Sequence, residues 1–84
     1  MPPLSELPGT LQRNKFLKAL RRVGFLIDES GGDGSHVMVT WPKTKKSVTI
    51  PHQMIPKQAL KYLIKEIETV TLGNVTWDEI KQQL

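Results

Sequence analysis

The chain contains no cysteine and only two histidines among its 84 residues. Without cysteine, disulfide bonds and thiolate metal sites are excluded. No apolar run approaches the ~18 residues that cross a bilayer, so we expect no membrane segment. The opening stretch MPPLSELPGT lacks a basic segment followed by an apolar one, which argues against a signal peptide. These absences favour a cytoplasmic protein.

Acidic residues are missing from two long stretches of the chain. Residues 13–22 hold five lysines and arginines, and residues 43–65 hold six lysines, with no Asp or Glu in either stretch. Residues 66–84 reverse this balance with four acids and one lysine. A basic body favours a polyanionic partner, most simply nucleic acid, although a solvated charged exterior would look the same. The sequence lacks a Walker loop, a dinucleotide fingerprint, HExxH and GxSxG.

The spacing of apolar residues predicts one α+β domain over residues 1–84, with an irregular lead-in at 1–9 and a C-terminal extension at 69–84. Thr10 is the predicted cap of a first helix that ends at Gly24. A second amphipathic helix is predicted over about 57–68, with Pro56 suited to the first helical position. A Thr76–Glu79 capping box predicts a short third helix. Strands are predicted at 25–30, 36–41 and 46–51. The order α-β-β-β-α predicts an antiparallel three-stranded sheet with helices on one face.

His36 occupies the start of the second predicted strand, directly after the loop SGGDG. Strand alternation places His36 opposite Val37 and Val39, hence on the open face of the sheet. Glycine amides and the Ser35 hydroxyl can bind phosphate oxygens, and an imidazole exchanges protons near neutral pH. The stretch therefore contains the parts of a phosphodiester site, including Gly34. A polar histidine at the edge of a loop is the plainer alternative.

His52 follows the third predicted strand, whose end should lie near the start of the second. Two neighbouring histidines would suit acid–base cleavage of RNA or supply two metal ligands. A third ligand would have to come from Asp33 or a more distant acid, so no metal site is predicted. His52 otherwise serves as an ordinary hydrogen-bonding residue before the helix.

Two further features have structural and functional interpretations. A stripe of lysines recurs at every fourth residue of the second helix and suggests RNA or an acidic protein partner, or only a solvated face: Lys57, Lys61 and Lys65. The large aromatic residues are too irregularly spaced for a stacking platform, so core or edge packing is expected of them: Trp41, Tyr62 and Trp77.

Several stretches resemble the HicA toxins, small mRNA interferases of type II toxin–antitoxin systems. The stretches LPGTLQRNKFLKALRRVGF, GSHVMV and VTIPHQ carry the likeness, which covers about residues 7–67. It implies a fold like that of double-stranded-RNA-binding domains, cofactor-independent endoribonuclease activity on mRNA, and inhibition by a HicB-type antitoxin. It also implies that the signature histidine, here His36, is catalytic.

We expect His36 to transfer a proton while a 2′-hydroxyl attacks the neighbouring phosphate, with His52 as a possible auxiliary group. The residues predicted to bind RNA are Gly34, Ser35, Lys15, Lys18, Arg22, Lys45 and Lys46. The lysines and the arginine are predicted from their charge and their proximity to His36. The sequence departs from the family in Asp33, in the start IPKQAL of the second helix, and in the acidic extension. That extension would cross the basic face, bind a partner or lengthen the core. A non-catalytic nucleic-acid-binding module and a protein-interaction domain are the alternative functions.

Overall fold

The computed structural model describes residues 7–28, 37–50 and 53–84. Its elements in chain order are β1 (Thr10–Gln12), α1 (Arg13–Val23), β2 (Leu26–Asp28), β3 (Val37–Trp41), β4 (Lys46–Ile50), β5 (Met54–Pro56), α2 (Lys57–Val70) and α3 (Trp77–Gln82). Strands β2, β3 and β4 form an antiparallel sheet in that order, while β1 pairs with β5. The predicted α+β fold is confirmed. No helix within these ranges is long and apolar enough to cross a membrane.

The three-stranded sheet buries one face, as the alternation in the sequence predicts. Val37, Val39 and Trp41 of β3 are buried, and Met38 between them is exposed. Ile50 of β4 is fully buried and pairs with Val37. The helices therefore cover this face and the core lies between the two layers.

Helix α1 ends where the sequence predicts. Gly24 adopts the left-handed conformation with φ of 119°, and the N–H of Phe25 donates to the carbonyl of Leu20 at 3.0 Å. This closure folds Phe25 back onto Trp41, with ring centroids 5.0 Å apart. Only glycine fits without strain, because a Cβ on Gly24 would lie 3.2 Å from the Trp41 ring.

The prediction that Thr10 caps α1 is wrong. Thr10 belongs to β1, and Gln12 is the N-cap without a side-chain hydrogen bond. Leu11 is buried and pairs with Ile55, so the β1–β5 ladder sets the conformation of this segment. Pro56 is likewise the extended last residue of β5 and the N-cap of α2, not its first helical residue.

The C-terminal segment after α2 is part of the core. Val75, Trp77 and Ile80 are buried, and α3 packs against α1. The predicted capping box is present, since Thr76 and Glu79 bond reciprocally. Of the roles considered for the extension, the structure shows that it enlarges the hydrophobic core.

Candidate nucleic-acid interface

Both histidines are close in sequence to strand ends that meet at one end of the three-stranded sheet. Val37, which directly follows His36 in the sequence, pairs with Ile50, the last described residue before His52. Both histidines, together with Gly34 and Ser35, lie outside the described residues, so the roles predicted for these four residues stay predictions. The described strand ends nevertheless define the part of the fold from which both segments depart.

The N-terminus of α1 is tied to the segment that follows β4. The backbone N–H of Arg13 donates to the carbonyl of Gln53 at 2.8 Å. A cleft of about 370 Å³ opens at this junction and is lined by Gln12, Arg13, Asn14, Gln53 and Met54. Its amide and guanidinium groups are the kind of donors that contact phosphate and ribose oxygens.

None of the residues that line this cleft was predicted as a site residue, and Arg13 is the charged residue among them. Only 9 % of its surface is exposed, which is unusual for an arginine. The sequence counted Arg13 among the cations of the first helix but gave no sign that it would line a cleft with Gln53. The contact joins residues forty positions apart, which no local pattern reveals.

The predicted RNA-binding residues of α1 lie on its outer surface. Lys15 and Lys18 are exposed. Lys18 and Arg21 line a second, smaller cleft of about 200 Å³ between α1 and Ile27 of β2. Arg22 donates from Nη1 to the carbonyl of Gln83 at 2.9 Å, so this cation also fastens the C-terminal segment.

Lys45 and Lys46 lie at the other end of the β3–β4 hairpin. Trp41 pairs with Lys46, four residues along β3 from the Val37–Ile50 pair, or about 13 Å at ~3.3 Å per residue. The hydroxyl of Thr44 donates to the carbonyl of Val70 at 2.7 Å and joins this turn to the end of α2. The structure thus separates these two lysines from the strand end next to His36, and their predicted contact with RNA stays a prediction.

Tyr62 departs from the expectation of core or edge packing. Its side chain lies on the outer surface of α2 and is 64 % exposed, whereas Trp41 and Trp77 are buried as expected. The stripe of Lys57, Lys61 and Lys65 follows the same helix, with Lys65 exposed and the other two half-buried. α2 therefore presents cations and one aromatic ring together.

Within the described ranges, no three His, Cys, Asp or Glu side chains come close enough to hold a metal ion. The polar side chains that line the two clefts carry guanidinium, ammonium and amide donors. Such donors bind and orient an anionic polymer, and a proton-transfer group is needed for cleavage.

Comparison with known proteins gives one result. Residues 13–69, well over half of the chain, match the family described as HicA toxin of bacterial toxin-antitoxin. The match spans α1, the three-stranded sheet and nearly all of α2. No curated protein and no solved structure matches the chain. The chain therefore belongs to the HicA toxin family, and it is a toxin of a bacterial toxin–antitoxin pair.

Proposed function

We propose that this toxin is a metal-independent endoribonuclease that cleaves mRNA and uses His36 as its catalytic residue. Membership of a toxin family that generally consists of RNases supports the proposal. The observation that carries it is the pairing of Val37 with Ile50, together with the Arg13–Gln53 bond. These contacts bring a polar cleft and the strand ends that adjoin both histidine segments to one end of the sheet.

In the proposed reaction, the His36 imidazole accepts the proton of a ribose 2′-hydroxyl. The 2′-oxygen attacks the adjacent phosphorus, and the bond from phosphorus to the 5′-oxygen of the next nucleotide breaks. The departing oxygen takes a proton from a second group, for which His52 is the candidate. The products are a 2′,3′-cyclic phosphate and a free 5′-hydroxyl, so neither a metal ion nor a cofactor enters the balance.

Backbone amides at Gly34 and the Ser35 hydroxyl would hold the reacting phosphate, since such groups bind anionic oxygens well. Arg13 adds a guanidinium at the cleft, and Lys15 and Lys18 extend the positive surface along α1. The basic body attracts RNA over a distance, which raises the rate of encounter at low salt. The antitoxin of the pair is expected to be a HicB-type protein, and both would act in the cytoplasm.

The test is cleavage of an mRNA transcript in excess chelator by the protein and by His36→Ala. Loss of general acid–base catalysis should lower the rate by about 10²–10⁴-fold. Lys81→Gln, an exposed change on α3, serves as the control and should cleave normally. Mass analysis of the fragments should find cyclic phosphate ends.

Cleavage that disappears with chelator, or that His36→Ala retains, would contradict the proposal. RNA binding without cleavage in both proteins would identify a non-catalytic binding module. Absence of RNA binding even at low salt would leave a protein-interaction domain, because phosphate contacts are strongest under those conditions.

A further inference from the structure

The outer face of α2 carries charges that the proposed active site does not use. We propose that it is a binding track for single-stranded RNA, with lysines contacting phosphates and Tyr62 stacking on a base. The residues of this track, called the α2 track below, are Lys57, Lys61, Tyr62 and Lys65. The proposal rests on the proposed action on RNA and assigns a further part of the RNA-binding surface.

The lysines of the α2 track form a regular row. They recur at every fourth residue, so they rise along one side of the helix and span about 12 Å at ~1.5 Å per residue. Half-burial of Lys57 and Lys61 places their stems against the protein, and long lysine stems of this kind keep the ammonium group in water. A row of evenly spaced cations matches a polymer with one negative charge per repeat.

The distribution of charges along α2 lowers the stability of the helix. Its first turn contains Lys57 and no acid, and its last turn contains Glu68 and no base. The helix dipole favours the opposite placement, by about 0.3–1 kcal/mol per charge. Lysines four residues apart repel each other by a further ~0.2–0.5 kcal/mol per pair. Helix stability therefore gives no reason for the row, and binding of an anionic ligand would offset its cost.

Tyr62 supplies the second element of the α2 track. It is 64 % exposed and lies three residues before Lys65, which places the two side chains on neighbouring positions of the helix surface. A positive row combined with an exposed aromatic ring is the arrangement by which proteins bind single strands without sequence preference. Paired bases inside a duplex cannot reach such a ring, so the chemistry favours an unpaired strand.

A protein partner fits this face less well. Lysine is depleted in the buried parts of protein–protein interfaces, where apolar and aromatic anchors fill pockets. The depression beside Lys65 on α2, of about 210 Å³, is shallow. Lysine acts on phosphate as a point charge and needs no such pocket.

The α2 track begins close to the cleft at the end of the sheet. Met54 lines the cleft, and Lys57 follows it by three residues, a distance of at most ~11 Å along the chain. The opposite end of α2 meets the β3–β4 turn through the Thr44–Val70 bond. A strand leaving the cleft can therefore follow α2 along the molecule towards the turn.

The test measures binding of a fluorescent single-stranded RNA of twelve nucleotides to the full chain with His36→Ala, so that cleavage does not interfere. Lys61→Gln with Lys65→Gln removes two charges from the α2 track. Lys81→Glu on α3 lowers the net charge by the same two units and is the matched control. The salt slope is the steepness with which the logarithm of the binding constant falls as the logarithm of the salt concentration rises. For single strands each lost phosphate contact reduces this slope by about 0.7, so the slope of the double variant should be smaller by about 1.4. The control should keep the parental slope.

Tyr62→Ala should weaken binding of the single-stranded RNA by about fivefold or more, because stacking on one base is worth at least ~1 kcal/mol. Tyr62→Phe keeps the ring and should bind like the parent. A duplex of the same sequence should respond to the lysine changes and ignore Tyr62→Ala. Melting curves of each variant verify that the fold is intact.

An unchanged slope in the double variant, or an equal loss in the Lys81→Glu control, would overturn the α2 track. Loss of antitoxin binding with RNA binding intact would assign this face to the protein partner instead and would also overturn it. If the unsubstituted chain binds RNA through α2 but does not cleave it, the nuclease proposal fails while the α2 track stands. If the double variant with His36 restored cleaves RNA and binds it with normal affinity, the α2 track fails while the nuclease proposal stands.

Discussion

Replacing Ile80 with alanine tests whether the C-terminal segment is part of the cooperative core. Ile80 has no exposed surface and lies on α3, which packs against α1. Truncation of a buried isoleucine costs about 2–5 kcal/mol, through lost burial and the cavity left behind. α3 has only six residues and can shift to close part of that cavity, so we expect about 2–3 kcal/mol.

Such a loss would be a large share of the total stability. A domain of this length has a free energy of unfolding of roughly 4–13 kcal/mol, at ~0.05–0.15 kcal/mol per residue. At ~4–8 °C per kcal/mol, Ile80→Ala should lower the Tm by about 8–24 °C. The exposed neighbour Lys81 gives the control, because Lys81→Ala should change stability by less than ~0.5 kcal/mol.

Urea unfolding followed by tryptophan fluorescence is the assay. Trp41 on β3 and Trp77 on α3 are both buried, so Trp77→Phe leaves a probe in the sheet alone. In that background Ile80→Ala should shift the transition reported by Trp41, since one core unfolds as one unit. A Trp41 transition that does not move, or moves no more than with Lys81→Ala, would show that α3 is not coupled to the sheet.

Three further changes test local interactions of the fold. Thr71→Val should lower the free energy of unfolding by about 1–3 kcal/mol despite the similar shape of valine, because the buried Val75 N–H donates to the Thr71 hydroxyl at 3.1 Å. Thr71→Ser keeps the hydroxyl and should retain most of the stability in urea titrations. Hydrogen bonds from Thr76 hold the pKa of Glu79 below its ordinary 4.5, so the ionised carboxylate stabilises the fold. This stabilisation is complete above pH 4.5 and is lost as the pH falls further. Glu79→Gln should remove this part of the pH dependence of the melting temperature. Gly24→Ala should cost about 1–2 kcal/mol or more in the same titrations, since it combines a left-handed backbone with a contact at 3.2 Å to the Trp41 ring; unchanged stability would contradict the assigned strain.

Features set by neighbouring residues were predictable from the sequence. Alternation along β3 identified its buried face, and Gly24 identified the end of α1. The capping box that starts α3 has a spacing that only a helix start explains. In each case the signal and the structure lie within a few residues of each other.

Features set by distant contacts were not predictable. The β1–β5 ladder joins two strands of three residues, too short to show a period, and it overrides the capping tendency of Thr10. The Arg13–Gln53 bond that forms the cleft has the same long-range character. The role of the extension depended on whether Trp77 and Ile80 find an apolar partner, which α1 supplies in the folded chain.

The packing of α3 on α1 has a consequence for synthesis of the protein. These helices lie more than fifty residues apart in the chain, so the apolar flank of α1 stays uncovered until the ribosome has released the segment through Gln82. Domains acquire their packing as units during translation, at ~5–20 residues per second. For several seconds the nascent chain therefore carries basic and apolar surface that chaperones can bind, and the surfaces proposed to bind RNA should assemble only after α3 has emerged.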